Sequence, residues 1–164
     1  MRSLGILVLS SVVLLSPLVP AAGIDHFETG EIRAGLMWDT VSASETGVLR
    51  FGGSAGVHVL DGLEFGYEQH FVVPPDAASE VHTFGYLRAV PFRDWPINPF
   101  VALRAGWSYA QDRQAPAAGL GCGAVMFIDS NFAMEARLFS QAILLPGHVT
   151  ARRTNLDWRL VLYF

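Results

Sequence analysis

Lysine is absent from the 164 residues, cysteine occurs once (Cys122), and only 16% of positions are charged. A single thiol cannot close an internal disulfide, and without a second cysteine neither a CxxC redox pair nor a thiolate zinc site can form. The eleven basic residues are all arginine, scattered among fifteen acids for a formal charge of −4. No basic run exists to hold a phosphate backbone, which excludes nucleic acid as a partner. Apart from Leu4–Leu15, no apolar run approaches the roughly 20 residues that a membrane-spanning helix needs. What is abundant is apolar surface, with 51% hydrophobic residues and a mean hydropathy of +0.34. That balance argues against a disordered tail or an ordinary soluble enzyme, because so much apolar surface must be buried or immersed.

The first residues carry one positive charge (Arg2), the Leu4–Leu15 run, then Ser16-Pro17, Pro20 and the small residues Ala21, Ala22 and Gly23. This is the pattern of a secretory signal peptide over residues 1–23, with the two prolines closing the apolar run too early for an anchor. Residues 24–164 are then the mature domain, and loss of Arg2 makes its formal charge −5.

The remainder alternates with the period of 2 expected of strands. The spacing predicts eight segments, near 31–39, 48–60, 63–71, 81–92, 100–109, 119–128, 132–140 and 154–164. Wherever a segment carries charged residues or histidines, they share one phase; 119–128 carries none and alternates more weakly, its second face being small and apolar. Leu63, Phe65, Tyr67 and Phe71 oppose Glu64, Glu68 and His70; Leu156, Trp158, Leu160, Leu162 and Phe164 oppose Asp157, Arg159 and Tyr163. The apolar face is the broader one and carries aromatics at strand ends. Trp38, Phe71, Trp107, Tyr109 and Trp158 would meet one interface, and Phe132 and Phe164 the other. Such girdles belong at the two edges of a bilayer, whereas a soluble β-barrel or sandwich would turn the same face into a core. Short connections at Asp61-Gly62, 93–98 and 129–131 alternate with longer ones at 40–47, 72–80, 111–118 and 141–153. The expected fold is an all-β, eight-stranded antiparallel up-and-down transmembrane barrel with both termini periplasmic.

At the level of this pattern the mature chain resembles the small eight-stranded outer-membrane barrels of the OmpA/OmpX type. Residues 119–138 look like the Gly-rich strand, Asp/Asn turn and amphipathic strand before their last hairpin, and Trp158–Phe164 looks like their terminal assembly signal. The resemblance implies a bacterial outer-membrane location among lipids and lipopolysaccharide. It also implies insertion by the barrel assembly machinery, with Leu160, Leu162 and Phe164 as the recognised signal. No peptidoglycan-binding segment follows residue 164 here, so tethering to the cell wall is not carried over.

With the apolar face outward, Arg33, Arg50, Glu64, Glu68, Arg88, Arg104, Glu135, Arg137, Asp157 and Arg159 point inward, together with Glu31, His58, His70 and His82. An eight-stranded barrel is just wide enough for side chains to fill, and charges in so narrow a space must be paired. The expected role of these residues is a structural plug; a gated or narrow conducting path is the alternative. The glycines at 119–123 are expected to leave room for the bulky arginines opposite.

Catalysis is not expected. Some barrels of this size deacylate lipid A with a His-x-Ser pair, whereas this chain offers only His148-Val149-Thr150. No cofactor or metal is expected either: His70 and His82 could face one another near a rim, but two ligands do not make a site. The expected role is structural or interactive, the barrel being monomeric and any surface ligand being met through loops 40–47, 72–80, 111–118 and 141–153.

Overall fold

A computed structural model describes residues 26–39, 47–110, 113–145 and 148–164. The signal peptide and most of the 40–47 loop lie outside the described residues. Eight antiparallel strands form a closed barrel in sequence order: β1 (Ile32–Asp39), β2 (Leu49–Leu60), β3 (Leu63–Val73), β4 (Glu80–Ala89), β5 (Asn98–Ala110), β6 (Arg113–Phe127), β7 (Phe132–Leu145) and β8 (His148–Tyr163). Closure runs between β1 and β8, with Trp38 opposite Trp158 and Arg33 opposite Tyr163. Phe164 completes the seam: its amide donates to the Ile32 carbonyl at 2.9 Å, and the Ile32 amide donates to its carbonyl at 3.0 Å. Over the span where all eight strands pair, closure leaves neither side of the sheet open.

The alternation sorts side chains as the pattern requires. Leu36 (68% exposed), Leu103 and Leu120 face outward, while Glu64 and Glu68 are fully buried in the lumen. Gln69 and Thr83, paired in register, and Ser140 and Thr154, likewise paired, are polar exceptions on the outward rows. In β6, Leu120 and Cys122 face out and Val125 is buried.

The structure corrects three boundaries. Residues 113–118 are strand rather than loop, and so is most of 141–153, because β6 begins at Arg113, β7 runs to Leu145 and β8 starts at His148. The alternation does not stop at the prolines: Ala115 and Ala117 are buried while Pro116 is exposed. Pro116 pairs with Trp107 of β5, and the ladder to β7 begins only at Ala117. A strand proline is tolerated where one neighbour is missing. The fourth strand ends at Ala89 rather than near 92, since Asn98 gathers the following turn by donating its amide to the carbonyls of Phe92, Arg93 and Trp95 at 3.2, 2.7 and 2.9 Å. His148–Thr150 opens β8 and is not part of a loop.

The Asp61–Gly62, β4–β5 and β6–β7 turns lie with His26 and Phe164 at one end, here the terminal end; the other is the far end. Gly62 supplies the positive φ (71°) of the two-residue Asp61–Gly62 hairpin. Asp129 accepts the amides of Asn131 and Phe132, both at 2.8 Å, forming an Asx-type turn. The segment before β1, absent from the strand pattern, folds across this end. Phe27 is fully buried among Val90, Phe100, Val125, Val161 and Tyr163, and His26 stacks on Phe127 at 3.6 Å. Its backbone is anchored by Gly62 N–H to Phe27 O (2.7 Å) and Gly30 N–H to His58 O (2.8 Å).

Candidate functional site in the barrel lumen

The lumen holds two linked clusters of ion pairs, spaced by the strand rise. Toward the terminal end, Arg33 of β1 reaches Glu135 at 2.6 Å and Glu64 at 3.3 Å. Arg88 of β4 meets Glu64 at 2.8 Å and Glu135 at 3.5 Å. The Tyr86 hydroxyl donates to Glu64 and accepts from Arg33 at 3.2 Å. Four residues further along β3, Glu68 accepts three guanidiniums: Arg104 at 2.7 Å, Arg137 at 2.9 Å and Arg159 at 2.7 Å. Arg137 also pairs with Asp157 at 2.9 Å, and Arg159 lies 3.9 Å from Glu135, joining the two clusters. All nine of these charged residues are buried. A buried carboxylate or guanidinium is tolerated only with such partners, because its unpaired desolvation costs several kcal/mol.

Aromatic faces complete the packing. The Arg104 guanidinium lies over Phe139 at 3.7 Å and over Phe84 at 4.5 Å, and Arg88 lies over Phe100 at 4.1 Å. Such cation–π contacts strengthen when desolvated. They also correct the expected use of the glycines. A Cβ at Gly119 would meet the Phe139 ring at 2.8 Å, and one at Gly121 would collide with the same ring. The space opposite the arginines is taken by a phenylalanine that in turn carries Arg104 and Arg137.

Arg50 stands apart, half-buried near the far end, where its guanidinium donates to Asn155. There His70 and His82 pair in register, and each ring nitrogen Nε2 approaches a carboxylate: Glu68 at 3.5 Å for His70, Glu80 at 3.1 Å for His82. Among the described residues no group of three or more His, Cys, Asp or Glu side chains is arranged to hold a metal. The space they border, with Arg104, Gln141 and Asp157, is a cavity of about 20 Å3, room for about one water. Leu162 and Phe164 lie exposed on β8 and beyond it, with Leu160 half-buried on the same row.

Several lumen residues escaped the sequence pattern. Gln141, which accepts from Arg104 at 2.7 Å, lies in the 141–153 stretch that the sequence pattern reads as a loop. Continuing the inward parity from Glu135 through Arg137 to 139 and 141 finds both it and Phe139. Phe84 and Phe100 give no such signal, because an apolar side chain on an inward row reads like any other.

No protein-family description matches the chain. No curated protein matches it either. Solved structures do. The N-terminal β-barrel domain of Pseudomonas aeruginosa OprF superposes with a TM-score of 0.61 at 17% identity, covering 83% of this chain and 98% of that one. Neisserial surface protein A (NspA) gives 0.60 at 12% identity, covering 82% and 96%. The outer membrane protein OprG from Pseudomonas aeruginosa gives 0.54 at 11%, covering 87% and 99%. The chain has the eight-stranded, OmpA-like β-barrel fold of the small outer-membrane proteins.

Proposed function

We propose that the chain is an exported, monomeric, non-enzymatic protein of the bacterial outer membrane, with a structural or surface-interaction role and a lumen plugged by its own side chains. The observation that carries this reading is its inside-out distribution of polarity. Nine charged residues are buried inside a closed barrel whose outward rows are apolar. In water that exposed belt would be a severe liability; in a bilayer it is the required solvent. The termini then face the periplasm and the far end faces outward, toward lipopolysaccharide. Pro74–Ser79 and the 40–47 segment are the longer connections left for a surface ligand, since 113–118 and most of 141–153 are strand. Leu160, Leu162 and Phe164 are the segment offered to the barrel assembly machinery.

The test is to refold residues 24–164 in detergent, compare cold and boiled samples on SDS gels, and then reconstitute the folded form in planar bilayers. A band that shifts on boiling, carbonate-resistant membrane association and no unitary current are expected. Solubility without detergent would overturn the membrane assignment, and reproducible single-channel steps would overturn the plug in favour of a small channel.

A further inference from the structure

We infer that the β4–β5 turn is a preorganised anchor that inserts into the phospholipid leaflet at the terminal end. This rests on the membrane reading above and goes beyond it, since an eight-residue turn with an arginine and an aspartate would ordinarily be assigned to water. Its apolar side chains are not tucked away: Phe92, Trp95 and Ile97 are 48%, 55% and 49% exposed. Phe92 and Trp95 stack on one another at 4.5 Å with ring planes 15° apart. They sit on a turn that Asn98 fixes through three hydrogen bonds, so little conformational entropy remains to be lost on insertion.

The occupant follows from continuity and size. Val101, Leu103 and Trp107 form the outward row of β5, and the exposed Trp95 and Ile97 precede it in the adjoining turn, so the patch borders the end of the lipid-facing belt. Leu60 and Phe164, both strongly exposed, extend the belt around the same end. Three side chains are far short of the roughly 800 Å2 per partner of a stable protein interface, whereas an indole and a phenyl ring at headgroup depth need no further area. Arg93 lies 3.4 Å from Asp61, which gives the turn a polar side at the level of the phosphates.

Trp95 reports on this directly, because Trp38 and Trp107 lie toward the far end and Trp158, opposite Trp38 and Ala136, lies within the strand span away from the turn. The triple variant Trp38→Phe, Trp107→Phe, Trp158→Phe is refolded into phosphatidylcholine vesicles containing lipids brominated near the glycerol or near the chain ends. Trp95 emission should be blue-shifted, quenched most by bromine near the glycerol and protected from aqueous iodide. If the triple variant does not fold, the quenched amplitude lost between wild type and Trp95→Phe carries the same information. A heat-shifting, inserted barrel whose other tryptophans are quenched by lipid while Trp95 is reached by iodide alone would overturn this inference and leave the membrane reading intact. No lipid quenching of any tryptophan and no gel shift would overturn both.

Discussion

Glu68 is the residue on which the lumen most depends, and Glu68→Gln is the sharpest perturbation of it. The substitution preserves volume and one acceptor oxygen but removes the charge that faces Arg104, Arg137 and Arg159 at 2.7, 2.9 and 2.7 Å. The buried set has five arginines against Glu64, Glu68, Glu135 and Asp157, so its formal surplus would rise from one positive charge to two. Hydrogen bonds to charged groups contribute about 1.5–3 kcal/mol each, and removing one partner of a buried ion pair typically costs about 3–5 kcal/mol. The amide still accepts one of the three guanidiniums, so a loss of about 4 kcal/mol is expected. Urea unfolding in phospholipid vesicles, followed by tryptophan emission and by the cold-gel shift, measures it. Adding Arg104→Met should recover a substantial part of the loss, because it removes one stranded cation. A single-variant loss below about 1 kcal/mol, or strict additivity in the double variant, would refute the view that Glu68 is the shared counter-charge of the far cluster.

Gly121→Val should drive its side chain into the Phe139 ring and destabilise the barrel by about 1–3 kcal/mol. Phe139→Ala in the same chain should relieve the ring clash and leave the 2.9 Å contact with the Leu138 carbonyl, so the two changes should be less than additive; the same urea titration reads both. Phe164→Ala should slow accumulation of the heat-modifiable form in cells far more than it lowers stability in vitro, since the ring is 68% exposed while the seam is held by backbone bonds to Ile32. The Thr29 amide, followed by its hydroxyl, donates to Asp61 at the terminal end and holds that carboxyl below its usual range. A depressed carboxylate stabilises above its ordinary value of about 3.9 and loses that contribution as pH falls through the lowered one. The protection factor of Thr29 N–H in micelles, its exchange rate set against the intrinsic rate at the same pH, should therefore fall only in strong acid, and Asp61→Asn should make that factor independent of pH across the window.

The sequence made legible what period 2 can carry. Where a strand carries charges its phase follows from where they fall, because a one-residue slip would turn Glu64 or Arg137 onto the apolar outer face; segment 119–128 carries none, and its small apolar second face leaves its phase open. Strand ends were less legible. Gln111–Ala118 and Gln141–Arg153 contain proline, glycine and polar residues that read as loop, yet a hairpin with a partner on one side accommodates Pro116 facing outward. The terminal plug was invisible for a different reason. His26 and Phe27 lie in a non-periodic stretch, and their burial comes from Phe127 and Tyr163, remote in sequence. The network's membership could be read from parity alone, but its wiring could not, since which guanidinium reaches Glu68 depends on how far each strand is staggered against the next.

That wiring argues for a closed lumen on energetic grounds. A conducting path along the axis would have to pass both Glu64–Glu135 and Glu68, where Arg33 and Arg159 bridge from wall to wall. The cavity beside Arg104 and Asp157 holds only about one water and sits at one end. Opening the path requires several of these contacts to part together, each stranding a buried charge until water follows it in. Substituting a single arginine would leave the rest of the barrier standing. Removing Arg33 and Glu135 together keeps the charge balance unchanged and takes out the pair nearest the seam. If any two-residue change admits ions, it is that one.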